Sequence, residues 1–280
     1  MSPPEPAQAK PVRVIAISSG KGGVGKTNVS VNLAVSLAAL GDATLLLDAD
    51  LGLANCDVML GLTPKFTLAD VMAGRCELAD TILEGPRGLA VVPAASGKRH
   101  MAELTPAEHV GLIRAFSALD RPLDTLLVDT AAGINDAVLT FCQAAQDVVV
   151  VVCDEPASIT DAYALIKVMS KERGVTRVQV LANQTRTPTE GRQLFEKLSR
   201  VCDRFLDVTL VYLGAVPHDD WLRRAVQKQV PVVEAYPGSP SAQAFREIAS
   251  RIHRWAAPDG PRGNVEFFVE RMLKPGGLPA

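Results

Sequence analysis

Aromatic side chains are scarce, making up 5% of the 280 residues, with only two tryptophans among them. A core must then be aliphatic, which suits a parallel sheet covered by helices on both faces. An excess of one charge is also missing. Lys and Arg (29) nearly balance Asp and Glu (31), for a formal net charge of −2. That excludes a protein coated in basic charge for nucleic acid, while a local basic patch stays open. Long apolar runs are absent too: the strongest, Val148 to Cys153, is far too short to span a bilayer. Met1 to Pro11 holds four prolines and no apolar core, so no signal peptide is expected there. The five cysteines (Cys56, Cys76, Cys142, Cys153, Cys202) are odd in number and form no CxxC or zinc-ligand spacing. They read as reduced structural thiols of a cytosolic protein.

What is present is an alternation of short apolar runs with longer helical patterns. Val12 to Ile17 reads as a buried strand, followed by a helix with Val29, Leu33, Leu37 and Leu40 on one face and Gly41 as its stop. Further strands are expected at Thr44–Leu47, Leu89–Val92, Thr125–Val128, Val148–Val152, Val178–Leu181 and Leu210–Val216. Helices are expected from Pro106 to Leu119, around Ile159–Met169 and around Leu194–Phe205. In the first of these, Thr105 and Glu108 form a capping box. This order predicts an α/β fold with a doubly wound, mostly parallel sheet. The predicted organisation is a tail at 1–10, one domain over 11–257, and a second tail at 258–280 with a short amphipathic helix.

Between the first strand and helix lies Gly20-Lys21-Gly22-Gly23-Val24-Gly25-Lys26-Thr27, which fits G-x-x-x-x-G-K-[ST]. Glycines let backbone N–H groups turn in around phosphates, and the helix N-terminus adds its dipole. Lys26 would neutralise the β- and γ-phosphates, and the Thr27 hydroxyl would bind magnesium. Gly20, Gly22 and Gly25 also spell G-x-G-x-x-G, with Asp48 about twenty residues on, as in dinucleotide-binding sites. The Lys26-Thr27 pair and the extra charge of Lys21 favour the triphosphate reading. Lys21 has two readings: a charge delivered across a dimer interface, or a solvated loop lysine.

Asp48 and Asp50 end the second strand and Asp129 ends another, where open α/β sheets place their ligands. A P-loop enzyme needs a carboxylate near magnesium and a group that orients water, and these three supply both. Asn183, Pro217 and Asp219 follow later strands, at positions suited to a base. Taken singly, each is as well explained as a turn residue.

The loop from Lys21 to Thr27 resembles the deviant Walker A motif of the MinD/ParA ATPases. Leu47-Asp48-Ala49-Asp50-Leu51-Gly52-Leu53-Ala54-Asn55 and Val128-Asp129-Thr130-Ala131-Ala132-Gly133-Ile134 resemble the two switch segments. Cys153-Asp154-Glu155-Pro156, Ser158 to Lys167 and Glu266 to Arg271 resemble the branch that controls flagellar number, the FleN/FlhG type. The resemblance runs from about Val12 to Leu273. It implies an ATPase using ATP and Mg2+ and forming an ATP-dependent homodimer. Gly20 to Asn28 would hold the phosphates, with Lys26 acting in cis and Lys21 in trans. Thr27 would ligate the metal and Asp48 a metal-bound water, while Asp50 would polarise the attacking water. Asp129 would couple the γ-phosphate to the second switch. Asn183, Pro217 and Asp219 would contact the base, and Glu155 the ribose across the dimer. Asn183-Gln184-Thr185-Arg186 and His218-Asp219-Asp220-Trp221 depart from the family pattern.

The implied role is anti-activation of the flagellar master transcription activator, an AAA+ (FleQ-like) protein. An SRP-type (FlhF-like) flagellar GTPase is a further candidate partner, and no sequence-specific nucleic acid is expected. The implied location is cytoplasmic, at the periphery of the inner membrane at a cell pole. MinD-type proteins end in an amphipathic membrane helix. Here Val265, Phe268, Val269, Met272 and Leu273 would form an apolar face with Phe267 adding to it, against Glu266, Glu270, Arg271 and Lys274. Two acids against two bases attract anionic lipid weakly, so docking on the domain is expected in at least one nucleotide state, with weak or conditional membrane contact. The nearest rival is a ParA-like DNA-partition ATPase using Arg223, Arg224 and Lys228. A nicotinamide enzyme and an iron–sulfur carrier are the others, the latter disfavoured by the scattered thiols.

Overall fold

The computed structural model describes residues 11–94, 104–256, 260 and 265–272. Strands β1 (Arg13–Ser19), β2 (Thr44–Ala49), β3 (Leu83–Glu84), β4 (Ala90–Val92), β5 (Thr125–Ala132), β6 (Asp147–Val152), β7 (Arg177–Thr185) and β8 (Thr209–Pro217) form one sheet. Their spatial order is β3-β4-β2-β5-β1-β6-β7-β8, parallel throughout except for β3 against β4. The expected doubly wound sheet is therefore present. The antiparallel β3 was not anticipated, being too short to carry a period.

Central strands read as continuous apolar runs because both faces are covered. Successive β1 residues alternate between two cores: Val14 and Ala16 face one, Ile15 and Ile17 the other. Helix α1 (Lys26–Ala39) buries Val29, Leu33 and Leu37 on the second face, where α10 (Pro240–His253) adds Phe245, Ile248 and Ile252. The first face is closed by α4 (Pro106–Ser117), α5 (Asp136–Ala144), α6 (Pro156–Arg173) and α7 (Pro188–Phe205). Thr105 and Glu108 do form the expected capping box at the start of α4. Short helices α2 (Cys56–Met59) and α3 (Leu68–Met72) follow β2, while α8 (Asp220–Gln227) and α9 (Val232–Ala235) follow β8.

The C-terminal segment is docked. Phe267 and Phe268 are fully buried, with Phe267 edge-on to Phe116 (5.5 Å) and stacked on Phe141 (6.4 Å). Arg271 ties the segment down through the carbonyl of Leu119 at 2.6 Å. The expected continuous helical face does not form. Phe268 has φ +54, a left-handed turn, and the helix α11 (Val269–Met272) starts after it. With the chain turned at Phe268, the two consecutive phenylalanines both point into the core. Leu273 and Lys274 lie outside the described residues, as do the tail at 1–10 and most of 258–280.

Candidate nucleotide site

β1 delivers the chain to the glycine loop at the C-terminal edge of the sheet, and α1 leaves it. Gly25 sits at φ +86 as the cap of α1, and a Cβ there would stand 2.5 Å from the Asn183 amide nitrogen. Gly20 is held for a different reason: its Cβ would lie 2.1 Å from the Asp161 carbonyl oxygen. The loop is thus packed between α6 and β7, and only glycine fits at both contacts. Above Gly22 and Gly23 the space is open.

The floor of the site is a buried polar cluster. Asp48 and Asp129 are register partners on β2 and β5, each about 1% exposed. Lys26 Nζ donates to Asp129 Oδ1 at 2.9 Å, and Ser30 Oγ donates to the same oxygen at 2.7 Å. The Cys56 thiol approaches the other Asp129 oxygen at 3.7 Å. Asp48 accepts three backbone N–H groups, from Asp50 (3.1 Å), Asn55 (2.9 Å) and Cys56 (2.9 Å). Burial raises its pKa to about 7, with the Asp129 charge adding to the rise and the N–H donors opposing it. For Lys26, burial pulls downward, but Asp129, with Cys56 and Asp50 adding to it, outweighs burial and the pKa ends above its ordinary value. Burial also pushes the Cys56 thiol well up.

The rim is different. Lys21 Nζ reaches Glu155 Oε2 of the same chain at 3.1 Å, with both side chains exposed (40% and 64%). Asp50 is half-buried beside Lys26, and its Oδ1 accepts from Leu53 N at 3.3 Å. Leu53 (71%) and Ile134 (50%) stand exposed in the two switch segments. Thr27 is half-buried in the first turn of α1.

On the base side, Asn183 Nδ2 donates to the Val24 carbonyl at 2.7 Å, leaving its buried Oδ1 without a partner. The Asn28 Oδ1 is likewise buried and unpartnered. Gln184 follows at φ +57, one of the few left-handed non-glycine residues described. Pro217 ends β8 nearby. The Asp219 carboxylate, by contrast, is committed to structure. It caps α8 through Trp221 N (2.9 Å) and holds Ser241 at the start of α10 through N (3.0 Å) and Oγ (2.6 Å).

The phosphate loop, Lys26, Thr27, Asp48, Asp50 and Asp129 are therefore brought together, with Asn183 at the loop's far side. Lys21 and Glu155 are brought to each other. Ser30 and Cys56 belong to the floor but were not anticipated. Ser30 lies four residues after Lys26 and so shares its helix face; that spacing was the available signal. Nothing in the sequence could reveal that Cys56 folds back onto Asp129. Of the rival's cations, Arg224 lies over Trp221 (4.7 Å) and Lys228 over Tyr236 (5.1 Å). The residues suit a nucleotide with a hard divalent cation. The space above Gly22 and Gly23 is open where phosphates would sit, the Asn28 and Asn183 amide oxygens are buried without a partner, and the candidate metal donors, Thr27 and Asp48, are oxygens.

Comparison with known proteins agrees. Residues 15–232 match the model of the CobQ/CobB/MinD/ParA nucleotide binding domain. The chain is 60% identical over 264 residues to the antiactivator FleN of Pseudomonas aeruginosa, covering 94% of each chain. It is 34% identical to the flagellum site-determining protein YlxH of Helicobacter pylori, covering 94% of this chain and 90% of that one. Among solved structures, the septum site-determining protein MinD of Pyrococcus horikoshii, complexed with Mg-ADP, superposes with a TM-score of 0.72. That match has 29% identity and covers 87% of this chain and 96% of the other. A buried P-loop lysine on a strand-end aspartate, a second lysine exposed at the rim and these likenesses have one explanation: the chain belongs to the CobQ/CobB/MinD/ParA nucleotide-binding family, in its MinD/ParA division.

Proposed function

We propose that the chain is an ATP-driven, dimerising switch whose ATP-bound form restrains a flagellar transcription activator. The observation that carries the mechanism is the contrast between its two loop lysines. Lys26 is fixed in the floor on Asp129, so it is preorganised to meet phosphate oxygens from within the chain. Lys21 is held only by an exposed pair with Glu155, which high dielectric makes weak. A second copy facing this rim would offer Lys21 a phosphate as a stronger partner, freeing Glu155 for the ribose.

Asp50 would orient the attacking water, a reading supported by its position just after the strand end, its closeness to Lys26 and its one long bond to Leu53 N. Asp129 joins Lys26 to the second switch, so loss of the γ-phosphate would be felt at Gly133 and Ile134. Bound Mg2+, held by Thr27 and through water by Asp48, would supply charge neutralisation to the phosphates. Anti-activation is inferred from the likeness to FleN, and the exposed Leu53 and Ile134 would belong to a surface assembled only in the dimer. An SRP-type GTPase is a second partner to test. Membrane contact would be conditional, because Phe267 and Phe268 must first leave the core.

The test is size-exclusion chromatography with and without ATP and magnesium on the wild type, Lys21→Ala and Asp50→Ala, with phosphate release measured in parallel. An ATP-dependent dimer is expected that persists in Asp50→Ala without hydrolysis and is lost in Lys21→Ala. Monomers throughout would refute the switch. Adding the ATP-loaded Asp50→Ala protein to a purified AAA+ activator should lower the activator's ATPase. No effect there would refute anti-activation while leaving the switch intact. For the tail, deletion of residues 263–280 should abolish any ATP-dependent liposome sedimentation; unchanged sedimentation would exclude the tail as the membrane element.

A further inference from the structure

The two edges of the sheet are built differently. One ends in β3, two residues long, which leaves little backbone to pair with. The other ends in β8, nine residues long, with no described strand on its outer side. Proteins usually blunt a long edge with charge, bulges or a cover, because unpaired N–H and C=O groups template another strand. Here the blunting is partial. A bulge at Leu213 interrupts the register with β7, and Arg251 Nη1 donates to the Leu213 carbonyl at 2.9 Å. Leu210, Val211 and Tyr212 before the bulge, and Ala215 and Pro217 after it, remain half-buried.

Beside this edge, between α7 and α10, runs a groove of about 510 Å³ lined by Arg192, Tyr212, Glu247 and Arg251, among others. It continues along α10 past Arg246 and Arg254. The four arginines are exposed, and none makes an ion pair with a carboxylate among the described residues. Arg192 lies over the Tyr212 ring, while Arg246, Arg251 and Arg254 bond to a carbonyl or a hydroxyl. Among the described residues, Glu247 is the one acid lining the groove. In a chain of net charge −2, this is a concentrated cationic strip laid along an open strand edge.

We infer that the β8 edge and its arginine-lined groove form a docking site for an extended, acidic segment of a partner protein, which adds to the sheet as a ninth strand. Main-chain bonds to β8 would supply affinity, and the guanidinium groups of Arg246, Arg251 and Arg254, all on the α10 face, would select carboxylate side chains at every second residue, which point to that one face. A protein segment fits better than single-stranded nucleic acid. Among the described residues lining the groove the one aromatic is Tyr212, which is already packed by Phe195 (5.4 Å) and has Arg192 over its ring, so the groove offers no row of free rings for bases to stack on. The site lies on the sheet's flank, and the inference stands on charge and topology whether or not the switch reading holds.

The experiment is fluorescence anisotropy on the full chain at moderate salt. The probes are a labelled peptide alternating Glu and Val, its Lys–Val counterpart, a Glu–Val peptide interrupted by prolines, and a labelled poly-dT oligonucleotide. Arg192→Glu, Arg246→Glu and Arg254→Glu are compared with the wild type and with Arg223→Glu on α8. Arg251 is left intact because it bonds the Leu213 carbonyl, and thermal melting checks the fold of each variant. The Glu–Val peptide should bind. Arg246→Glu, Arg254→Glu and the proline interruption should each weaken that binding about tenfold, Arg192→Glu on the opposite face should weaken it less, and Arg223→Glu should leave it unchanged. Four results would overturn the inference: no binding of the Glu–Val peptide, equal binding of the proline-broken one, equal loss in Arg223→Glu, or tighter binding of the oligonucleotide.

Discussion

The floor and the rim of the nucleotide site carry the same kinds of charge under opposite physical conditions. On the floor, Lys26 and Asp129 are both nearly inaccessible, joined at 2.9 Å and cross-braced by Ser30. On the rim, Lys21 and Glu155 meet at a similar distance in open water. A buried pair is costly to break because one uncompensated charge is left behind, whereas an exposed pair is nearly free to exchange. The same residue types thus give a rigid cradle in one place and an exchangeable contact in the other. A switch needs both: a part that holds the ligand and a part that can change partners.

The largest effect should come from breaking the floor. Lys26→Ala strands Asp129 beside Asp48 and should cost about 3 kcal/mol or more of stability in urea unfolding, along with nucleotide binding. Gly25→Ala comes next. Its φ of +86 and the 2.5 Å approach to Asn183 should cost about 2 kcal/mol and weaken adenine-nucleotide binding, read by isothermal titration.

Asp48→Asn should do the reverse and stabilise the free protein at high pH. The folded pKa of Asp48, about 7, exceeds its ordinary value of 3.8. Its contribution is therefore full only below about pH 4, is lost progressively as pH rises to 7, and changes little above that. The asparagine variant escapes that loss, so its stability relative to wild type should improve by on the order of 2 kcal/mol between pH 4 and pH 7 and then level off. The smallest effect belongs to the rim. Glu155→Gln should change stability by at most about 0.5 kcal/mol, while shifting the ATP concentration at which dimers form. A large loss of stability in that variant would erase the distinction between rim and floor.

Much of the site was legible from the chain. The spacing of the loop glycines with Lys26 and Thr27, placed between an apolar run and a helical period, located the phosphate end. The aspartates after β2 and β5 were found by the rule that open sheets bind ligands at strand ends. Asp219 shows the limit of that rule. A carboxylate after a strand can as readily cap the next helix, and here it caps α8 and holds α10. Phe267 and Phe268 show another. The apolar character of the tail was plain, but a period of 3.6 cannot announce a left-handed residue that turns both rings inward.

The sequence by itself determined the sheet, its parallel sense and the phosphate loop, because those depend on local periodicity and short fixed spacings. Tertiary structure alone decided which charges share a low dielectric. Asp48 and Asp129 are eighty-one residues apart in the chain and register partners in the sheet; Lys21 and Glu155 meet across the loop. It also decided that β8 lies at an edge beside arginines that pair with no carboxylate among the described residues. Strand order and side-chain burial are set by packing over the whole domain, and no window of sequence contains them.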